Sequence, residues 1–255
     1  MNATLKQPPI RPTEEFVTTS QAEQARQMCE VVLNARAYSR VGQITGDPGT
    51  GKSSVTQWLN DEFSGIRIEC WAGMGRKHML QELLKAYDAR FNVTMPLTGS
   101  ANTLFQRMKD VENLNGLLII ADEANHLTWN TLESLRGLSD RGAGVILAGT
   151  GVLSRTLNLP QVQIYTAQIR QRIGAKHIIM KPVGNADELA AYVLAPRFTA
   201  LTKAGARKFH EETGGNWRTA IGLADACERL MINENIDKFD QHVVATAAAW
   251  LAENS

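Results

Sequence analysis

The sequence predicts an α/β fold: a five-stranded parallel sheet flanked by helices, followed by a small all-helical lid. Three observations predict it. A glycine-rich run, Gly46-Asp47-Pro48-Gly49-Thr50-Gly51-Lys52-Ser53, stands between a short strand-like segment and a helical stripe. The continuous apolar run Leu117-Leu118-Ile119-Ile120-Ala121 reads as a central parallel strand, covered on both faces. From Asn185 onward the hydrophobic pattern has a helical period only.

The elements follow in order. Residues 1–19 carry Pro8, Pro9 and Pro12 with little periodicity and suggest an extended arm. Ser20-Gln21-Ala22-Glu23 has capping-box spacing, and Ala25, Met28, Cys29, Val32 and Leu33 form the stripe of a first helix. Val41 to Thr45 is a short strand leading into the glycine-rich loop. After the loop, Val55, Trp58, Leu59 and Phe63 fall on one helical face. Ile66 to Cys70 is a second strand, and Leu80, Leu83, Leu84 and Tyr87 mark an amphipathic helix. Thr98 to Ser100 precede a helix carrying Leu104, Phe105 and Met108, which leads to the central strand. Gly144 to Ala148 and His177 to Met180 complete the sheet, with helices between them. Strands alternating with helices argue for a parallel sheet. The domain reading is an arm over 1–19, a nucleotide-binding α/β domain over 20–183 and a helical lid over 184–255.

The glycine-rich run fits the phosphate-binding pattern G-x-x-x-x-G-K-[ST]. Glycines let backbone N–H groups curl around phosphates, Lys52 reaches the β and γ oxygens, and Ser53 ligates Mg²⁺. Gly46, Asp47, Pro48, Gly49, Thr50, Gly51, Lys52, Ser53 and Ser54 are therefore the candidate residues for ATP. Asp122 and Glu123 end the strongest strand. Asp122 is placed to hold Mg²⁺ through water, and Glu123 to polarise an attacking water. The bland alternative is a carboxylate pair capping the next helix. Thr150, in Gly149-Thr150-Gly151, is expected beside the γ-phosphate if strands one, three and four are neighbours; a simple turn is the competing reading.

Composition narrows the classes. At 255 residues the chain has room for one large α/β core and a small accessory unit. No stretch approaches a membrane span, and the polar, proline-bearing start does not read as a signal peptide, so a soluble cytoplasmic protein is expected. Cys29, Cys70 and Cys227 are far apart and odd in number, which fits neither a disulfide framework nor a zinc knuckle. The formal charge of +1 carries no overall signal for nucleic acid.

With these residues in order, the chain resembles AAA+ ATPases of the transposition-helper group, which includes the TnsC and TniB regulators and ExeA-like proteins. Within that group it is most similar to the transposition protein B of Mu-like phages. The likeness rests on Pro9 to Thr19, Gly46 to Ser53, Asp122-Glu123-Ala124-Asn125-His126-Leu127, Leu132 to Leu138 and Gly144 to Gly149. Gln171-Arg172-Ile173 and Gly215-Asn216-Trp217-Arg218 continue the order of motifs. The resemblance implies a Walker B pair at Asp122 and Glu123 and a sensor at Thr150. It also implies an arginine finger at Arg172, with Arg170 as the alternative, and a second sensor at Arg218. It implies an ATPase that is weak alone and stimulated by DNA, assembly or a transposase. Such an ATPase polymerises on duplex DNA largely without regard to sequence and selects the transposase's target.

Two departures accompany the resemblance. The Mu protein begins with a helix-turn-helix domain where this chain begins with the arm, so DNA contact is expected to rest on the ATPase core. Thr150 stands where the family commonly has asparagine. Candidate DNA contacts are Arg76, Lys77, Thr98, Ser100 and Arg107, near helix starts that suit phosphate oxygens. Their bland reading is an ordinary exposed helix face. The competing functional readings are a helicase loader or replication-initiation ATPase, a secretion ATPase at the envelope, and a scaffold that binds ATP without hydrolysing it.

Overall fold

The computed structural model describes residues 16–254, so most of the expected arm, residues 1–15, lies outside the described residues. The chain forms two compact units, one spanning Thr18–Met180 and one from Lys181 onward.

In the first unit the strands β1 (Val41–Gly46), β2 (Ile66–Glu69), β3 (Leu118–Asp122), β4 (Gly144–Gly149) and β5 (His177–Met180) form one sheet in the order β2-β3-β4-β1-β5. Every pairing is parallel. The register sets Glu69 beside Asp122, Ala121 beside Leu147 and Thr45 beside Gly149. The central strands are buried at every residue, as the continuous apolar run requires.

Seven helices surround the sheet: α1 (Ser20–Asn34), α2 (Lys52–Glu62), α3 (Arg76–Phe91), α4 (Ala101–Lys109), α5 (Trp129–Ser139), α6 (Gly151–Leu157) and α7 (Gln163–Ile173). Alternate strand residues divide between the two faces. Ile119, Ala121, Val145 and Leu147 join Leu80, Leu83, Leu84, Leu135 and Ile169 in one apolar core. Leu118, Ile120, Ile44 and Ile146 hold the other positions and are equally buried; α1 and α2 pack against β1, β3 and β4. Each such aliphatic side chain contributes about 1.5–3 kcal/mol by leaving water.

Two local expectations shift. The first helix is capped by Thr19, not Ser20: its hydroxyl accepts the Ala22 N–H at 3.1 Å, and Glu23 pairs with Arg26 instead of closing a capping box. Trp58, Phe63 and Leu33 are only half-buried, while Val55 and Leu59 carry the buried face of α2. The three cysteines are buried and free, and burial pushes each thiol up to about 12.

The second unit is helical: α8 (Ala186–Leu189), running on into a π-helical turn Ala190–Leu194, then α9 (Lys203–Thr213), α10 (Trp217–Glu234) and α11 (Gln241–Glu253). Its own core centres on Phe239, whose ring lies 4.5 Å from that of Phe198 and 6.2 Å from that of Phe209. Thr202, Asn216 and Asp240 cap its last three helices through their side-chain oxygens. No helix among the described residues is long and apolar enough to cross a membrane.

Candidate functional site

The loop Asp47–Gly51 joins β1 directly to α2. Gly49 and Gly51 take φ values of 81° and 88°, a region that a side chain disfavours. Within the loop, the Asp47 carbonyl accepts from the Thr50 hydroxyl at 2.8 Å and from Lys52 Nζ at 2.9 Å. Thr50 is fully buried and anchors the curl. Gly51 caps α2 with no side-chain hydrogen bond, so the N–H groups of Lys52, Ser53 and Ser54 open the helix without a side-chain cap. Such a start attracts anions through its N–H groups and the helix dipole. Ser53 and Ser54 are both exposed there.

Asp122 ends β3, separated from β1 by β4 alone. It is 1 % exposed and held at both oxygens. Oδ1 accepts the Glu123 N–H at 3.0 Å. Oδ2 accepts Arg67 Nη2 from β2 at 2.6 Å and lies 3.1 Å from the Thr56 hydroxyl of α2. Arg67 Nε donates to that same hydroxyl at 3.1 Å, and Thr56 Oγ1 lies 2.9 Å from the Ser53 carbonyl. Thr56 therefore ties the start of α2 to the end of β3.

Glu123 has φ 52° and ψ 36°, left-handed backbone that costs a non-glycine residue about 1–2 kcal/mol. It precedes a single 3-10 turn, Ala124–His126, and its side chain caps nothing, which removes the helix-capping alternative. Strain of this kind gathers at functional sites. Across β4, Thr150 donates its N–H to Asn125 Oδ1 at 2.9 Å, and its hydroxyl accepts the Val152 N–H at 3.4 Å to cap α6. A Cβ on Gly149 would lie 2.4 Å from Asn125 Oδ1, so the glycine makes room for this bond.

The donor set suits a magnesium nucleotide. Two positive-φ glycines, an uncapped helix start, a buried lysine and a hydroxyl follow β1, and a carboxylate ends β3, one strand away. Ser53 and Asp122 are the residues that would hold the metal.

Arg172 and Arg170 make their contacts within the chain. Arg172 is 8 % exposed. Its Nη2 and Nε donate to Asp140 Oδ1 at 2.7 and 3.1 Å, and its Nη1 donates to the Gln168 carbonyl at 3.2 Å. It shares the buried face of α7 with Thr166, Ile169 and Ile173, a helical spacing visible in the sequence. Arg170 donates to Asn158 Oδ1 and to the Gln163 carbonyl. Neither side chain is extended from the surface as a finger would be. Arg218 is exposed in the first turn of α10, behind the Asn216 cap.

The candidate DNA contacts separate in the same way. Arg76 Nε donates to Ser134 Oγ and its Nη1 to Asn102 Oδ1, both at 2.7 Å, and its guanidinium lies 5.2 Å from the Phe105 ring centroid. Arg107 donates to the carbonyls of Pro96 and Thr98, stitching the loop ahead of α4. Ser100 caps α4 through Thr103 N–H. Lys77 and Thr98 have exposed side chains.

Three residues of the site were not anticipated: Arg67, Thr56 and Asn125. A charged residue alternating with Ile66 and Ile68 in a strand was the available signal for Arg67.

Comparison with known proteins bears on the fold. Residues 35–157 match a family model described as AAA domain. The Aeropyrum pernix ORC2 protein in its ADP form is similar in structure, with a TM-score of 0.65 and 16% identity over 97% of this chain and 71% of that one. The Holliday junction branch migration motor RuvB of Thermotoga maritima follows with a TM-score of 0.58 and 15% identity, over 93% and 70%. Drosophila ORC bound to DNA gives 0.60 and 12%, over 99% and 71%. No curated protein matches the sequence. The architecture is that of a P-loop AAA+ domain with a C-terminal helical region.

Proposed function

We propose that this chain is a magnesium-dependent ATPase that binds duplex DNA, assembles on it in its ATP form and directs a transposase to its target. The observation that carries the ATPase reading is the Ser53–Thr56–Asp122 link, which joins the start of α2, where the phosphate loop ends, to the acidic strand. In this reading the uncapped N–H groups at the start of α2 and the Lys52 ammonium take the phosphate oxygens. Ser53 and Asp122 would hold magnesium, which would supply positive charge against the phosphates. Glu123 orients and polarises the attacking water, its strained backbone presenting the carboxylate off the end of β3. Thr150 monitors the γ-phosphate and Arg218 serves as the second sensor. Because Arg170 and Arg172 are engaged within the chain, the finger is assigned to neither.

The DNA and transposase part of the proposal is supported by the resemblance of the motif order to the transposition-helper group. A replication-initiation or helicase-loading role uses the same nucleotide site; the observation favouring it is the likeness in fold to ORC structures, one of which is bound to DNA.

Two experiments test these statements. Glu123→Gln is expected to keep ATP binding while hydrolysis falls by about a hundredfold or more; unchanged turnover removes Glu123 from catalysis. Electron microscopy on random-sequence duplex should show filaments with ATP that disperse with ADP. Saturation of one short sequence without a polymer favours the initiation role instead.

A further inference from the structure

Asp122 has more positive charge beside it than a magnesium ligand needs. Arg67 Nη2 stands 2.6 Å from Oδ2, in a pair whose side chains are 19% and 1% exposed. The Glu123 N–H occupies a position on Oδ1, and the Thr56 hydroxyl, whose single proton also faces the Ser53 carbonyl at 2.9 Å, lies 3.1 Å from Oδ2. A carboxylate has about four lone-pair sites, so little capacity is left for a magnesium-bound water. A guanidinium this close also repels a divalent cation at the same oxygen. Arg67 has somewhere else to go. Arg67 also lines a cleft of about 480 Å³ at the sheet edge beside α3, whose walls include Glu69 and the Glu82–Lys85 ion pair, 2.7 Å long.

We propose that Arg67 and Mg²⁺ exchange at Asp122: Arg67 neutralises the carboxylate when no metal is held there, and turns into the cleft towards Glu69 when Asp122 takes part in holding magnesium. The proposal rests on the nucleotide-site reading given above. It makes Arg67 a positioning residue that acts through Asp122 and sets how much magnesium the site demands. It also gives the edge of the sheet a conformation that depends on nucleotide state, since the displaced side chain alters the wall of the β2–α3 cleft. The Thr56 hydroxyl, relieved of the Arg67 Nε contact, keeps α2 tied to β3 in both arrangements.

The test is a magnesium titration of fluorescent ADP-analogue binding by the wild type, Arg67→Gln and Arg67→Lys. Arg67→Gln should lower the magnesium concentration at half-maximal binding by about tenfold, the loss of one close like-charge repulsion. Arg67→Lys keeps the charge without the fork and should fall between the two. Equal midpoints with nucleotide binding intact would overturn the exchange and leave the ATPase reading standing. Wild-type binding that ignores magnesium altogether would overturn both.

Should Arg67→Gln not fold, because it leaves Asp122 buried and unpaired, the wild type decides the matter. The Arg67 Nε–H resonance, identified by its loss in Arg67→Lys, should exchange with water faster when Mg²⁺ is added to the ADP complex. A resonance indifferent to Mg²⁺ sinks the proposal.

Discussion

The ends of β1 and β3 hold their charge in different ways. In the loop that follows β1 two contacts are local: Thr50 and Lys52 both donate to the carbonyl of Asp47, a few residues away. At the end of β3 they are remote. Asp122 is held by Arg67 and Thr56, from β2 and α2, and the following Asn125 reaches β4. A local motif builds its own geometry, whereas a dispersed one exists only once the sheet has aligned its strands.

The largest effect should come from the local end. Lys52→Ala is expected to weaken ATP binding by about a hundredfold, near 2.7 kcal/mol, while the melting temperature without nucleotide stays close to wild type. Calorimetric titration and a thermal melt separate the two. A large fall in intrinsic stability would blur the distinction between the ends.

Next comes the dispersed end. Gly149→Ala forces a methyl group towards Asn125 Oδ1 and should cost about 2 kcal/mol in denaturant unfolding. Adding Asn125→Ala should recover part of that loss, because the clash goes with the amide. Strictly additive costs would show that the two residues are independent.

Arg172→Ala probes a charge far from both ends. The loss of the Asp140 and Gln168 contacts should cost about 1.5 kcal/mol of stability. ATP affinity should be unchanged. A selective loss of assembly-dependent turnover at constant stability would return Arg172 to the finger role.

The smallest effect concerns β5. His177 Nε2 lies 2.7 Å from the Thr45 hydroxyl, and burial holds its pKa below the ordinary 6.5. Below pH 6.5 the unfolded chain takes up the proton first, so stability should decline as pH falls towards the folded-state value. Melting curves at pH 7.5 and 5.5 should differ less for His177→Asn than for the wild type.

The same contrast explains what the sequence made legible. The Leu117–Ala121 run, the helical stripes and Gly46–Ser53 could be read because their information lies within a few residues. β3 and the start of α2 fell within a residue or so of expectation. The roles of Arg67, Thr56 and Asn125 could not be read, because each depends on a partner that only the sheet order brings near. Arg172 gives two signals for a related reason: its motif position suggests an outward role, while its spacing from Ile169 places it on the inner face of α7.

The rims of the sheet carry a last consequence. β2 and β5, the two edges, have four residues each, shorter than the strands between them. On β2 a guanidinium and an exposed carboxylate alternate with the inward isoleucines. A brief, charged border gives an incoming strand few free amides to pair with and a desolvation cost for trying. The β2 edge is thereby guarded against strand-to-strand aggregation, whereas β5 is short but carries the exposed Ile179.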